Sequence, residues 1–245
     1  MQEMSAEISR KLRRMTILVG MIGSDGIILA ADQCMVTPAQ KETDFDDRVG
    51  IRKIVNLDNY GLAYDGVGDR YTAAVGKKLS AMVMAGDFTF DDIAASLEAV
   101  ARAAITEEIE KLPSPYSFDY ELHRSLLIVF YGPQISERQM WVLRIVHAYH
   151  EAIRIHGMTI NGAMGNAARF FGRYFQGFMP VDTLKLLAAH IVLTAHHFDS
   201  LMIDGLDIAE FDSQGFRLVT EEEKQSLRTK CNELDLAIRN RLFGE

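Results

Sequence analysis

Thr16 opens the first long apolar run of the chain, directly after Met15, in "RRMTILVGMIGSDGIILAADQ" at residues 13–33. It is either an ordinary strand residue or the place where the chemistry starts. Asp32 ends the second apolar run, and Lys53 opens a strand after a long polar stretch. Taken singly, each charge reads as a solvated strand end. His190, His196 and His197 share one expected helix, but no carboxylate or cysteine completes a metal-ligand pattern there. "GVGD" and "GMTINGAMG" lack the spacing of phosphate loops. The two cysteines, Cys34 and Cys231, are too few for a disulfide framework and fit a reducing cytoplasm.

These residues need a scaffold, and composition bounds it. The chain has 245 residues, 48% of them hydrophobic, enough for a sizeable core. A formal net charge of −8 argues against a nucleic-acid binder, which usually carries a basic footprint. No apolar run reaches the roughly 18–20 residues that a membrane helix requires. Neither a Pro/Gly/Ser-rich linker nor a repeat divides the chain, so one domain is expected. Residues 1–15, "MQEMSAEISRKLRRM", read as an N-terminal extension or propeptide-like segment without a secretory cleavage site, ahead of a domain at 16–245.

Residues 17–23 and 26–33 are apolar on both parities, so they read as strands buried on both faces, joined at Ser24-Asp25. Residues 34–52 read as a long polar loop. A second hairpin is expected from 53–58 and 61–67. Helices follow at 69–85 and 91–111, the latter with Ile93, Leu97, Val100, Ala101 and Ala104 on one stripe. Strands return at 125–131, 140–149 and 152–160. A helix is expected near 166–177, and Pro180 opens another, with Leu184, Leu187, Ala188, Ile191, Val192, Ala195 and Phe198 facing inward. Short strands at 206–211 and 216–219 precede a charged helix from Thr220 to Phe243, which Thr220 and Glu223 start as a capping box. Segregated runs of strands and helices mean α+β; two doubly buried sheets with helices outside give a four-layer α-β-β-α sandwich.

That order, with Thr16 heading the first strand, resembles the proteasome family of N-terminal-nucleophile hydrolases (Ntn-hydrolases). "TILVGMIGSDGIILAADQ" is similar to the β-type opening. "RKIVNLDNYGLAYDGVGDRYTAAV" resembles the family's Lys-headed strand and the Gly-x-x-Gly-Asp that starts the first helix. "HHFDSLMIDGLDIAEFDSQGFRLV" resembles its late Asp segment and terminal hairpin. The likeness is clear over 16–75 and weaker beyond.

The resemblance implies a self-compartmentalising threonine endopeptidase, β-type or HslV-like. Its nucleophile is the Thr16 hydroxyl and its base the Thr16 α-amine, which must be free. It implies that Lys53 tunes that amine by like-charge repulsion, and that Asp32 keeps Lys53 charged and placed. Gly66 is the implied oxyanion donor through its N–H. Asp199 holds the threonine end. Asn166 stands where the family has a Ser near the nucleophile, and Met202 replaces the Ser three residues after Asp199. Met35, Tyr64 and Gly68 are the implied substrate-pocket residues. No cofactor and no metal is implied.

The implied partners are unfolded polypeptide as substrate, further copies of the chain in stacked rings, and an ATPase unfoldase. Neither nucleic acid nor membrane is among them, and the setting is cytoplasmic. Thr16 must become the first residue. Met15 replaces the usual glycine before the cut, so release runs either by autolysis or by initiation at Met15 followed by methionine removal. A non-catalytic structural subunit and an Ntn amidohydrolase acting on a small amide stay open as alternatives.

Overall fold

The computed structural model describes residues 16–37, 47–50, 52–57, 60–64, 70–113, 123–131, 138–146, 149–162, 172–198 and 203–244. The strands, in chain order, are β1 (Ile17–Ile22), β2 (Ile27–Ala31), β3 (Cys34–Thr37), β4 (Asp47–Gly50), β5 (Ile54–Leu57), β6 (Tyr60–Tyr64), β7 (His123–Phe130), β8 (Gln139–Val146), β9 (Tyr149–Ile155), β10 (Met158–Gly162), β11 (Asp207–Asp212) and β12 (Gly215–Leu218). The helices among the described residues are α1 (Arg70–Ala85), α2 (Ile93–Glu110), α3 (Val181–Phe198) and α4 (Glu221–Phe243). The protein is thus mixed α/β, with two five-stranded antiparallel sheets. The first has the order β10-β1-β2-β11-β12, the second β5-β6-β7-β8-β9.

Period-two alternation assigns each strand's side chains to two different cores. In β1 and β2, Ile17, Val19, Met21, Ile28 and Ala30 face α3 and α4, where they meet Leu184, Ala188, Ile191, Leu227 and Cys231. The alternate residues Leu18, Ile27, Leu29 and Ala31 face the second sheet, against Ile54, Ala63, Leu127, Val129 and Val142. The other face of the second sheet packs on α1 and α2 through Leu126, Ile128, Phe130 and Leu143 against Val75, Leu79, Leu97 and Val100. β1 and β2 are accordingly buried on both faces.

Caps hold the helix starts at the expected places. The Thr220 hydroxyl accepts from Glu223 N–H, and the Glu223 carboxylate accepts from Thr220 N–H at 2.9 Å, closing the capping box of α4. α3 begins one residue after Pro180, and its Val181 N–H donates to Asp25 Oδ1 at 2.8 Å. The turn between β1 and β2 therefore also caps a helix 156 residues away.

Two expectations need correction. Residues 34–52 are not all loop: β3 and β4 pair antiparallel, from Cys34↔Gly50 to Thr37↔Asp47. Four-residue strands leave too short a pattern for periodicity to register, and their stability comes from the ladder between them. The strand expected at 152–160 is two strands in different sheets. The chain breaks at His156-Gly157, leaves the second sheet at β9 and enters the first at β10. Most of the helix expected near 166–177 lies outside the described residues, and from 173 the chain runs in turns. No helix among the described residues is long and apolar enough to cross a membrane.

Candidate functional site

The β1–β2 hairpin decides which residue meets Thr16. Its register pairs Ile22 with Ile27 and Leu18 with Ala31, so the residue just past β2 falls opposite Ile17, the first residue of β1 and the neighbour of Thr16. The residue just past β2 is Asp32. Its Oδ1 accepts from Ile17 N–H at 3.0 Å and its Oδ2 from Cys34 N–H at 3.1 Å. Lys53 arrives from the other sheet, as the residue immediately before β5. Its Nζ donates to Thr16 Oγ1 at 2.8 Å and to Asp32 Oδ2 at 2.8 Å. All three side chains are buried: Thr16 is 6% exposed, Asp32 0% and Lys53 1%.

Burial raises the Asp32 pKa above its ordinary 3.8, against the downward pull of Lys53 and of the Ile17 and Cys34 N–H groups. A carboxylate placed here without those donors would be strongly penalised. Because Thr16 Oγ1 accepts from Lys53, its own proton is directed away from the lysine. An alkoxide forming at Oγ1 would meet that same donor.

Gly162, the last residue of β10, pairs with Ile17 and has φ +97°. A Cβ there would overlap the Thr16 carbonyl oxygen. Glycine is required twice over, for the left-handed backbone and for the close approach.

A second layer supports the first. Asp207, at the start of β11, is 2% exposed. Its Oδ2 accepts from the Lys53 main-chain N–H at 3.1 Å, and its Oδ1 accepts from Gln33 Nε2 at 2.6 Å and Lys224 Nζ at 3.5 Å. Sequence reasoning missed Asp207, Gln33, Lys224 and Gly162. The start of β11 beside the end of β2 follows from ladder register, which no short segment signals on its own.

Of the residues the sequence singled out, Thr16, Asp32 and Lys53 are brought together. Met35 lies in β3 opposite Val49, and Tyr64 ends β6 opposite Leu126; their side chains fall outside the described set, as do Gly66, Gly68, Asn166, Asp199 and Met202. His190 Nε2 bonds Asp235 Oδ1 at 2.8 Å, and His196 Nδ1 bonds the Ile203 carbonyl at 2.5 Å. Among the described residues, no three His, Cys, Asp or Glu side chains converge as a metal site. Compared with known proteins, the chain matches no family model and no curated protein.

Proposed function

We propose that this chain is a cytoplasmic, self-compartmentalising threonine endopeptidase of the proteasome-like Ntn-hydrolase kind. The observation that carries the reading is the buried Lys53 Nζ, 2.8 Å from both Thr16 Oγ1 and Asp32 Oδ2. A lysine buried between a carboxylate and an aliphatic hydroxyl is costly for packing alone. It is well suited to stabilising an oxyanion at Oγ1 and to lowering the pKa of an adjacent amine. Two antiparallel sheets with helices on their outer faces suit the four-layer α-β-β-α sandwich of that class.

In this mechanism the Met15–Thr16 bond is cut first, which frees the Thr16 α-amine with an ordinary pKa of about 7.7–8. The amine takes the Oγ1 proton as Oγ1 attacks the substrate carbonyl. The Oγ1–C bond forms, the C–N bond breaks, and the proton passes to the leaving amine. Water then hydrolyses the ester and restores the hydroxyl. Gly66 N–H serves the oxyanion, Asn166 and Asp199 orient the threonine end, and Met35, Tyr64 and Gly68 shape the pocket. The substrate is unfolded polypeptide, reached inside stacked rings of this chain and supplied by an ATPase unfoldase.

The test joins intact-mass spectrometry of the protein from its native host with a peptide epoxyketone, which bonds both the hydroxyl and the amine of an N-terminal threonine. A mature chain beginning at Thr16, labelled on that residue and unlabelled as Thr16→Ala, is expected. A mature chain that keeps residues 1–15 would sink the catalytic reading. A free Thr16 that resists the probe would point to a structural subunit. Turnover of small amides without peptide cleavage would point to an amidohydrolase.

A further inference from the structure

We infer that Asp207 is a positioning residue for Lys53, and that it ties the first turn of α4 to the Thr16 site. The inference rests on the peptidase reading for its effect on rate, though not for its effect on Lys53 itself.

Lys53 precedes β5, whose ladder begins only at Ile54↔Ala63. Its main-chain N–H donates instead across the sheet interface to Asp207 Oδ2 at 3.1 Å, spanning 154 residues of sequence. Lys53 is therefore held to the first sheet at two points, by its backbone through Asp207 and by its Nζ through Asp32 and Thr16. A lysine side chain has four rotatable bonds, so fixing the head alone leaves the stem to wander. Fixing the backbone as well leaves little freedom in where Nζ stands.

The rest of the Asp207 carboxylate is also occupied. Gln33 Nε2 bonds Oδ1 at 2.6 Å, and Gln33 is the residue next to Asp32, so one carboxylate holds the Lys53 main chain and the Gln33 side chain on the two sides of the site. Lys224 Nζ, 3.5 Å from Oδ1 and 4% exposed, supplies the countercharge. Lys224 is set by the α4 capping box and by Glu221 at 2.7 Å. Among the described residues no hydrogen bond joins Asp207 to Thr16, so its effect on Thr16 runs through Lys53 and Gln33.

The experiment compares Asp207→Ala and Asp207→Asn in the full chain, at a temperature where each is folded. Thr16 labelling is followed against epoxyketone concentration, which separates the maximal rate from probe affinity. Lys53 acetylation by acetic anhydride is followed by peptide mass spectrometry. Asp207→Ala is expected to slow maximal labelling by about 10²-fold, the cost of misplacing a reacting group by an ångström, with probe affinity unchanged. Asp207→Asn keeps an acceptor oxygen for Lys53 N–H and is expected to retain most of the rate. Lys53 acetylation should rise severalfold in the alanine variant and stay low in the asparagine one.

Wild-type labelling and acetylation in a folded Asp207→Ala would overturn the inference, as would Asp207→Asn behaving like Asp207→Ala. If wild-type Thr16 is never labelled, the peptidase reading fails, and the acetylation comparison still decides the positioning role. If Asp207→Ala does not fold, Asp207→Ser takes its place. Its hydroxyl stops one bond short of the carboxylate oxygens, so the Lys53 N–H loses its acceptor; raised Lys53 acetylation is expected and an unchanged value overturns the role.

Discussion

Among the described residues, two buried lysine–carboxylate pairs share a 2.8 Å separation, Lys53–Asp32 and Lys185–Glu210. Their surroundings differ. Lys185, on α3, also meets the exposed Asp182 at 3.1 Å. Glu210, on β11, also pairs with Arg217, which in turn bonds Glu223 at 2.5 and 2.9 Å. Every partner in that network is charged, and its edge reaches solvent. At Lys53 the third partner is a neutral hydroxyl, and the cluster is closed. An ion pair alone therefore does not mark a site. What distinguishes Lys53–Asp32 is that the lysine has a donor left over for the Thr16 hydroxyl, in a buried place shielded from water.

The largest expected difference comes from removing each lysine. Lys53→Met leaves Asp32 buried without its cation, at a cost of about 3–5 kcal/mol. It should also slow epoxyketone labelling of Thr16 by about 10²–10³-fold, as losing one preorganised donor does. Lys185→Met leaves Glu210 paired with Arg217 and should cost about 1.5–3 kcal/mol, the worth of one hydrogen bond to a charged group. Its labelling rate should stay at the wild-type value. Urea denaturation and probe kinetics check both, and equal losses of labelling in the two variants would erase the distinction.

Gly162→Ala should come next. It forces a side chain into a positive-φ position, at about 1–3 kcal/mol of strain, and into the Thr16 carbonyl. Labelling should fall sharply while the Lys185 network is untouched, so a folded variant with wild-type labelling would contradict the close approach of β10.

The two regions should also answer pH with opposite signs. Glu223 is lowered from 4.5 to about 2 by the Arg217 hydrogen bonds and the Thr220 N–H. Its stabilisation is present above 4.5 and lost as pH falls towards 2. Asp32 is raised above 3.8 by burial. Its contribution is present below 3.8 and lost as pH rises through the raised value. In urea midpoints measured across this range, Glu223→Gln should flatten the acid loss of stability, and Asp32→Asn should remove a slope of the opposite sense.

The smallest effect is kinetic. Protonating Asp32 takes the countercharge from Lys53, so the acid side of Thr16 labelling, whose first limb belongs to the α-amine, should fall again in a second step above pH 3.8 that Asp32→Asn removes. A second step at or below that value would detach Asp32 from Thr16 labelling.

Much of this was legible residue by residue. The doubly apolar runs of β1 and β2, the stripe from Ile93 to Ala104 and the Thr220–Glu223 box each announce themselves within a dozen residues, because propensity, periodicity and capping act at that range. Thr16, Asp32 and Lys53 were legible as a set through the resemblance of their flanking motifs to the proteasome family, and not from the charges taken singly. The β3–β4 pairing, the break at His156-Gly157, and the roles of Asp207 and Gly162 were not, since each depends on a partner strand far along the chain.

The sequence by itself determined most of the elements and the chemical types available at their ends: a hydroxyl before β1, a carboxylate after β2, an amine before β5. Only the tertiary structure decided that the amine of one sheet reaches the hydroxyl and carboxylate of the other, across separations of 37 and 21 residues. The reason is physical. Local rules shape a strand through its neighbours, but a buried lysine finds its partners only when two sheets pack, water leaves, and an unpaired charge becomes too costly to keep.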